Sequence, residues 1–315
     1  MRAPRGVLAM DARATMSSRG ATLAYTVPRV RIDAMSAKEF ADTFLTRGAP
    51  VILVDAERRV VPTWTARELA AKYGNVVVPL DGGERRVALE AFVQSFANED
   101  KGGAGASTRD GYARNLHASE YFPEEARALR LPDALGENKL RDPSATPGVN
   151  ERWRDWFEVF ICARNDSRAR FPFVHRDTCG VHAASYQIEG SKQFTLFSPN
   201  EPAEVMYAQS SAGGTGNRSM IPDIDAPDVY EKYPAFARAR RLDVDVHPGE
   251  ILVIPSNWWH TAKPLPSASG DDASVACISV AASFVDDSIY ERFLDLHGEF
   301  RAMQSLLAVG AARMT

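Results

Sequence analysis

The sequence predicts a mainly β domain with flanking α-helices, on three observations. Short apolar runs bounded by turn residues recur through the second half, as in 155–162, 251–254 and 274–284. Residues 187–199 read as a strand, a tight turn at Gly190 and a second strand that opens with Lys192. Ahead of these, helical spacing alternates with strand-like runs. With 315 residues, 45% of them hydrophobic and 25% charged, the chain buries a core as one large domain or two small ones.

The elements follow in order. Residues 1–27 are rich in Arg, Ala and Ser with Asp11 the only acid, a composition of a disordered tail or an organelle transit segment without a clear cleavage signal. Residues 29–32 read as a strand. Ser36-Ala37-Lys38-Glu39 has the form of a capping box, opening a helix with Phe40 and Phe44 on one face. Gly48-Ala49-Pro50 stops it, and residues 51–54 form a buried strand. Thr65-Ala66-Arg67-Glu68 is a second capping box, for a helix ending near Gly74. Residues 76–80 read as a strand, and Leu89, Phe92, Val93 and Phe96 share one helical face.

Residues 98–111 are Gly- and Ser-rich and charged, predicting a mobile loop. A strand over 112–117, a short helix over 124–129, a polar connector over 135–150 and a strand over 155–162 lead into the motif region. Residues 201–240 form a long insertion, a length uncommon unless the loop is functional or disordered. In the alternating run 243–247, His247 falls on the exposed face. The strand over 274–284 leads to a closing helix over 287–309.

His175 and Asp177 are two residues apart, so on a β-strand both side chains leave the same face. His260 follows the short strand 251–254. Two imidazoles and one carboxylate on one face of a sheet form a triad that leaves coordination positions open and suits non-haem Fe(II). A bare His-x-Asp also fits packed, hydrogen-bonded side chains. The flanks shift the balance: a Gly turn delivering Lys192, and Pro255-Ser256-Asn257-Trp258-Trp259-His260.

This pattern, specific over residues 156–285 and looser back to about residue 30, resembles the Jumonji-C (JmjC) family of Fe(II)- and 2-oxoglutarate-dependent oxygenases. It is most similar to the cupin-like hydroxylase branch. The resemblance implies a double-stranded β-helix (jelly-roll cupin) core over 28–285, with 286–315 as a helical extension. It implies Fe(II) at His175, Asp177 and His260, 2-oxoglutarate anchored by Lys192, and dioxygen as co-reactant. Tyr112 then contacts the 2-oxoglutarate carboxylate, unless it is a structural tyrosine. Ser279 retains a hydroxyl where relatives bond the cosubstrate, and Ser185 stands where several relatives carry asparagine. Ala281 and Pro172 depart from the family pattern and predict a less polar cosubstrate pocket.

The implied activity is hydroxylation of a C–H bond, with a protein side chain as substrate. A JmjC lysine demethylase, a catalytically silent cupin-fold metal-binding or scaffold protein, and a metal-dependent isomerase are the alternatives. A net charge of −4 argues against bulk nucleic-acid affinity, although a local basic patch is compatible with it. No apolar run reaches membrane-spanning length. Three cysteines, Cys162, Cys179 and Cys277, suit a reducing compartment, and the expected location is cytoplasmic or nuclear. A zinc site through Cys179 and His182 is disfavoured because no CxxC is present. His182 is expected as a core or supporting histidine, while His117 and His297 lack ligand spacing. Trp258 and Trp259 are expected to pack around His260. Ile289, Phe293, Leu296, Phe300, Met303 and Leu307 make an apolar stripe on the closing helix, predicting a homodimer whose interface includes Phe293 and Phe300.

Overall fold

The computed structural model describes residues 15–17, 20–22, 25–96, 111–165, 169–209, 216–266 and 275–312. Its strands form two sheets that do not close into a barrel, a jelly-roll arrangement. The larger contains Arg29–Arg31 (β3), Val51–Val54 (β4), Val77–Leu80 (β5), Arg85–Ala88 (β6), Ala113–His117 (β7), Phe157–Ala163 (β8), His182–Glu189 (β9), Glu250–Ile254 (β12) and Ala276–Phe284 (β14). Its order is β3-β4-β12-β9-β14-β8-β7-β5-β6. The smaller contains Thr15–Ser17 (β1), Gly20–Thr22 (β2), Ser191–Phe197 (β10), Arg241–Val246 (β11) and Trp259–Leu265 (β13), in the order β1-β2-β11-β10-β13.

Alternation along β9 assigns its faces. Ala184, Tyr186 and Ile188 join the cluster on the outer side of the larger sheet, under the N-terminal helices. Ala183 points the other way, into a second cluster with Phe194, Leu196, Leu242 and Val244 of the smaller sheet. The helices over the outer face are Ala37–Phe40 (α1), Ala66–Tyr73 (α2) and Leu89–Ser95 (α3). Both predicted capping boxes form. Glu39 N donates to Ser36 Oγ at 3.3 Å while Ser36 N donates to Glu39 Oε2 at 2.9 Å, and Thr65 and Glu68 reciprocate in the same way. The first helix is shorter than its pattern suggests, running into a π-turn over Ala41–Leu45, yet Phe40 and Phe44 are both buried.

Several expectations change. Thr15–Ser17 pairs with Gly20–Thr22, and Thr22 pairs with Arg241, so part of the expected tail joins the smaller sheet. β6 and β13, for which the sequence pattern predicts no strand, each lie at a sheet edge. There, charge (Arg85, Arg86) and proline (Pro264) are tolerated, since no further strand of the sheet runs along the outer row of backbone groups. The expected loop over 98–111 lies, except for Gly111, outside the described residues, as do residues 210–215. The rest of the insertion is well packed: Val205, Met206, Ile221, Ile224 and Phe236 surround Trp259 and Val174.

Short helices follow at Ala118–Tyr121 (α4), Pro123–Ala126 (α5) and Val229–Lys232 (α6), and the closing helix is Tyr290–Ala312 (α7). Phe293 is fully buried in its own chain among Leu140, Val149, Val181 and Val285, and Phe300 lies 5.8 Å from Trp153. Phe293 therefore belongs to the intramolecular core and is unavailable to a two-chain interface. The side chains of Met303 and Leu307 lie outside the described residues.

Candidate metal centre

His175 and Asp177 are not on a regular strand, contrary to the expectation from their spacing. His175 makes isolated bridges to His260 and Arg218, and Asp177 precedes a 3-10 turn over Thr178–Gly180. Between Pro172 and the turn at 178 the strand ladder is reduced to bridges at His175. One bridge is enough: His175 N donates to His260 O at 3.0 Å and His260 N donates to His175 O at 2.8 Å. This reciprocal pair sets the imidazole centroids 4.2 Å apart. Asp177 Oδ1 is 3.9 Å from His175 Nε2 and 3.8 Å from His260 Nε2. The three donors lie within 4.8 Å of one another, so one ion can bridge them, and this is the only such group among the described residues.

The electrostatics suit a cation. Burial, and then the neighbouring His260, hold the His175 imidazole well below its usual range, so it is neutral and keeps a lone pair. Nδ1 of His260 faces Trp258 O at 3.1 Å; donating there leaves the Nε2 lone pair free for an ion on the side of Asp177. Burial raises the Asp177 carboxyl above its usual range, opposed by His260. A dication reverses that preference and favours the carboxylate. Neutral imidazoles and a carboxylate with open positions are a set that fits Fe(II). Cys179 and His182 stay outside the donor group. Burial pushes the Cys179 thiol up to about 12, and His182 spans Asp286 Oδ1 and Ser256 N, each at 3.0 Å.

The triad opens into a cavity of about 500 Å³ between the two sheets. Lys192 enters it from β10. The Gly190 turn that delivers it has φ 64°, and a Cβ there would stand 2.6 Å from Ala276 O, so the hairpin needs glycine. Lys192 is 2% exposed; its Nζ donates to Ser279 Oγ at 2.6 Å and Tyr112 OH at 3.1 Å. Burial pushes the Tyr112 phenol up to about 12, so this partner is a neutral hydroxyl. Among the described residues the buried ammonium has no carboxylate partner. Ser185 lines the same cavity, in register with Ala281, without bonding Lys192. Pro172 is exposed and does not line the cavity, so only Ala281 of the two departures lowers its polarity.

The sequence missed the aromatic and cationic wall. Phe171 stacks on His175 with centroids 4.4 Å apart, and Arg114, Arg176 and Arg218 also line the cavity. Arg114 was detectable, since it lies two residues beyond Tyr112. A register shift between Ala113 and Leu116, with Asn115 at φ 57°, obscures the strand alternation at that point.

A family model for the cupin-like domain matches residues 36–283. Among curated proteins, the chain is 38% identical over 74 residues to tRNA wybutosine-synthesizing protein 5 of Mus musculus, covering 24% of this chain and 21% of that one. It is 35% identical over 91 residues to the HSPB1-associated protein 1 homolog of Danio rerio, covering 27% and 18%. With tRNA wybutosine-synthesizing protein 4 of Gibberella zeae, identity is 28% over 151 residues, covering 48% and 12%. The aligned parts thus span about a fifth or less of these relatives. Since the family model covers most of the chain and the two-sheet fold agrees with it, the chain belongs to the cupin-like domain family, of JmjC type.

Proposed function

We propose that the protein is an Fe(II)- and 2-oxoglutarate-dependent oxygenase that hydroxylates a C–H bond. The observation that carries this reading is Lys192, a buried ammonium whose partners are two neutral hydroxyls, set in the same cavity as a two-histidine, one-carboxylate group. Among the described residues no carboxylate pairs with this ammonium, and an anionic cosubstrate supplies one. His175, Asp177 and His260 would hold the metal, which supplies oxidative chemistry toward a C–H bond when 2-oxoglutarate and dioxygen are present. Lys192 binds the far carboxylate of 2-oxoglutarate, and Tyr112 and Ser279 orient the ammonium. Phe160 and the Tyr112 ring, each 5.4 Å from Lys192 Nζ, keep water from it.

The substrate we favour is a protein side chain. An RNA base is a second reading, drawn from the relatives whose names place them in tRNA wybutosine synthesis. Anaerobic titration with Fe(II) and then 2-oxoglutarate tests the oxygenase reading. A metal-to-ligand absorption band on adding the second component is expected; one-to-one iron binding with no such band would favour a silent metal-binding protein.

A further inference from the structure

Three guanidiniums line the cavity, each against an aromatic ring. Arg114 Cζ lies 5.3 Å from the Phe171 centroid, Arg218 Cζ 3.4 Å from Phe173, and Arg176 Cζ 4.4 Å from Trp259. Phe171 in turn stacks on His175, so Arg114 and the metal ligand share one aromatic neighbour. Among the described residues, neither Arg114 nor Arg218 is paired with a carboxylate. The carboxylates lining the cavity are Asp177 and Glu158, and the fourth cation is Lys192. Four cations against two acids leave +2. A dication and the doubly charged 2-oxoglutarate cancel, so +2 holds for the loaded and the unloaded protein. Because the whole chain carries −4, everything outside the cavity sums to −6.

We propose that this cavity takes an acidic polypeptide segment, with carboxylates beside the target side chain seated on Arg114 and Arg218. The inference rests on this cavity being the active site. A guanidinium offers a planar fork that matches a carboxylate, and the aromatic face behind it holds it without a counter-acid. A polynucleotide is also anionic, but it repeats its charge along an extended backbone and meets the net −6 beyond the cavity. A short acidic segment places its charge only where the arginines are.

The test is fluorescence anisotropy on the full chain at low ionic strength. The probes are a peptide rich in Asp and Glu, its Asn and Gln counterpart, a single-stranded RNA oligonucleotide and a free dicarboxylic acid as competitor. Each is measured with and without Mn(II) and 2-oxoglutarate. The acidic peptide is expected to bind about tenfold or more tighter than its amide counterpart in both states. In the R114Q/R218Q double variant that preference is lost, while Mn(II) and 2-oxoglutarate titrations are unchanged. Equal binding of the two peptides, tighter binding of the RNA, full competition by the dicarboxylic acid at equal concentration, or a preference retained in the double variant overturns the proposal. Failure of Mn(II) or 2-oxoglutarate to bind counts against the oxygenase reading alone, because the charge preference is also read without them.

Discussion

His175 and His260 exchange both of their backbone hydrogen bonds, at 3.0 and 2.8 Å, although 85 positions separate them in the chain. The pair fixes two imidazoles side by side, with their planes tilted by 51°, without a continuous strand on the His175 side. Ligand geometry thus rests on main-chain bonds that side-chain substitution leaves in place.

For that reason His175→Ala and Asp177→Ala should each abolish one-to-one Fe(II) binding with the fold retained. Anaerobic calorimetry alongside far-UV circular dichroism reads both quantities. Unchanged iron affinity in either variant would mean that the ligands lie elsewhere.

Lys192→Met affects both function and stability. A charge-assisted contact to a carboxylate contributes about 1.5–3 kcal/mol, so 2-oxoglutarate affinity should fall about ten- to a hundredfold. The same change leaves Ser279 Oγ and Tyr112 OH without their buried donor, so the unloaded protein should also lose about 1–3 kcal/mol in urea denaturation. A variant with normal affinity would remove Lys192 from the cosubstrate site.

His182 bonds Asp286 on one nitrogen and the Ser256 amide on the other, tying the segment before α7 to the turn that leads into β13 and His260. His182→Leu leaves the Ser256 amide unpaired and removes one of three partners of Asp286 Oδ1, which keeps Ser288 N and Oγ, at a cost of about 1–3 kcal/mol. Metal stoichiometry should remain one to one. A destabilisation below about 0.5 kcal/mol would show that water replaces the ring at both ends.

Phe293→Ala should cost about 3–5 kcal/mol, because the ring is fully buried within one chain. Light scattering should give the same oligomeric state for this variant as for the unmodified protein. A homodimer through α7 must use the face turned away from Phe293, so loss of dimer mass in Phe293→Ala without loss of stability would contradict this packing.

The sequence by itself determined the local features. Both capping boxes were legible because their partners lie three residues apart, and the Gly190 hairpin because only a turn joins two such strands so closely. The donors His175, Asp177 and His260 were legible through their residue types and flanks. Tertiary structure decided what distant segments do together. It alone gave Lys192 its neutral partners, which come from 80 and 87 positions away. It alone gathered Arg114, Arg176 and Arg218 around one cavity, and it turned Phe293 inward. An apolar stripe records only that a helix must cover something, and an arginine only that it carries charge. Which surface lies opposite depends on how the two sheets pack, and that information is non-local.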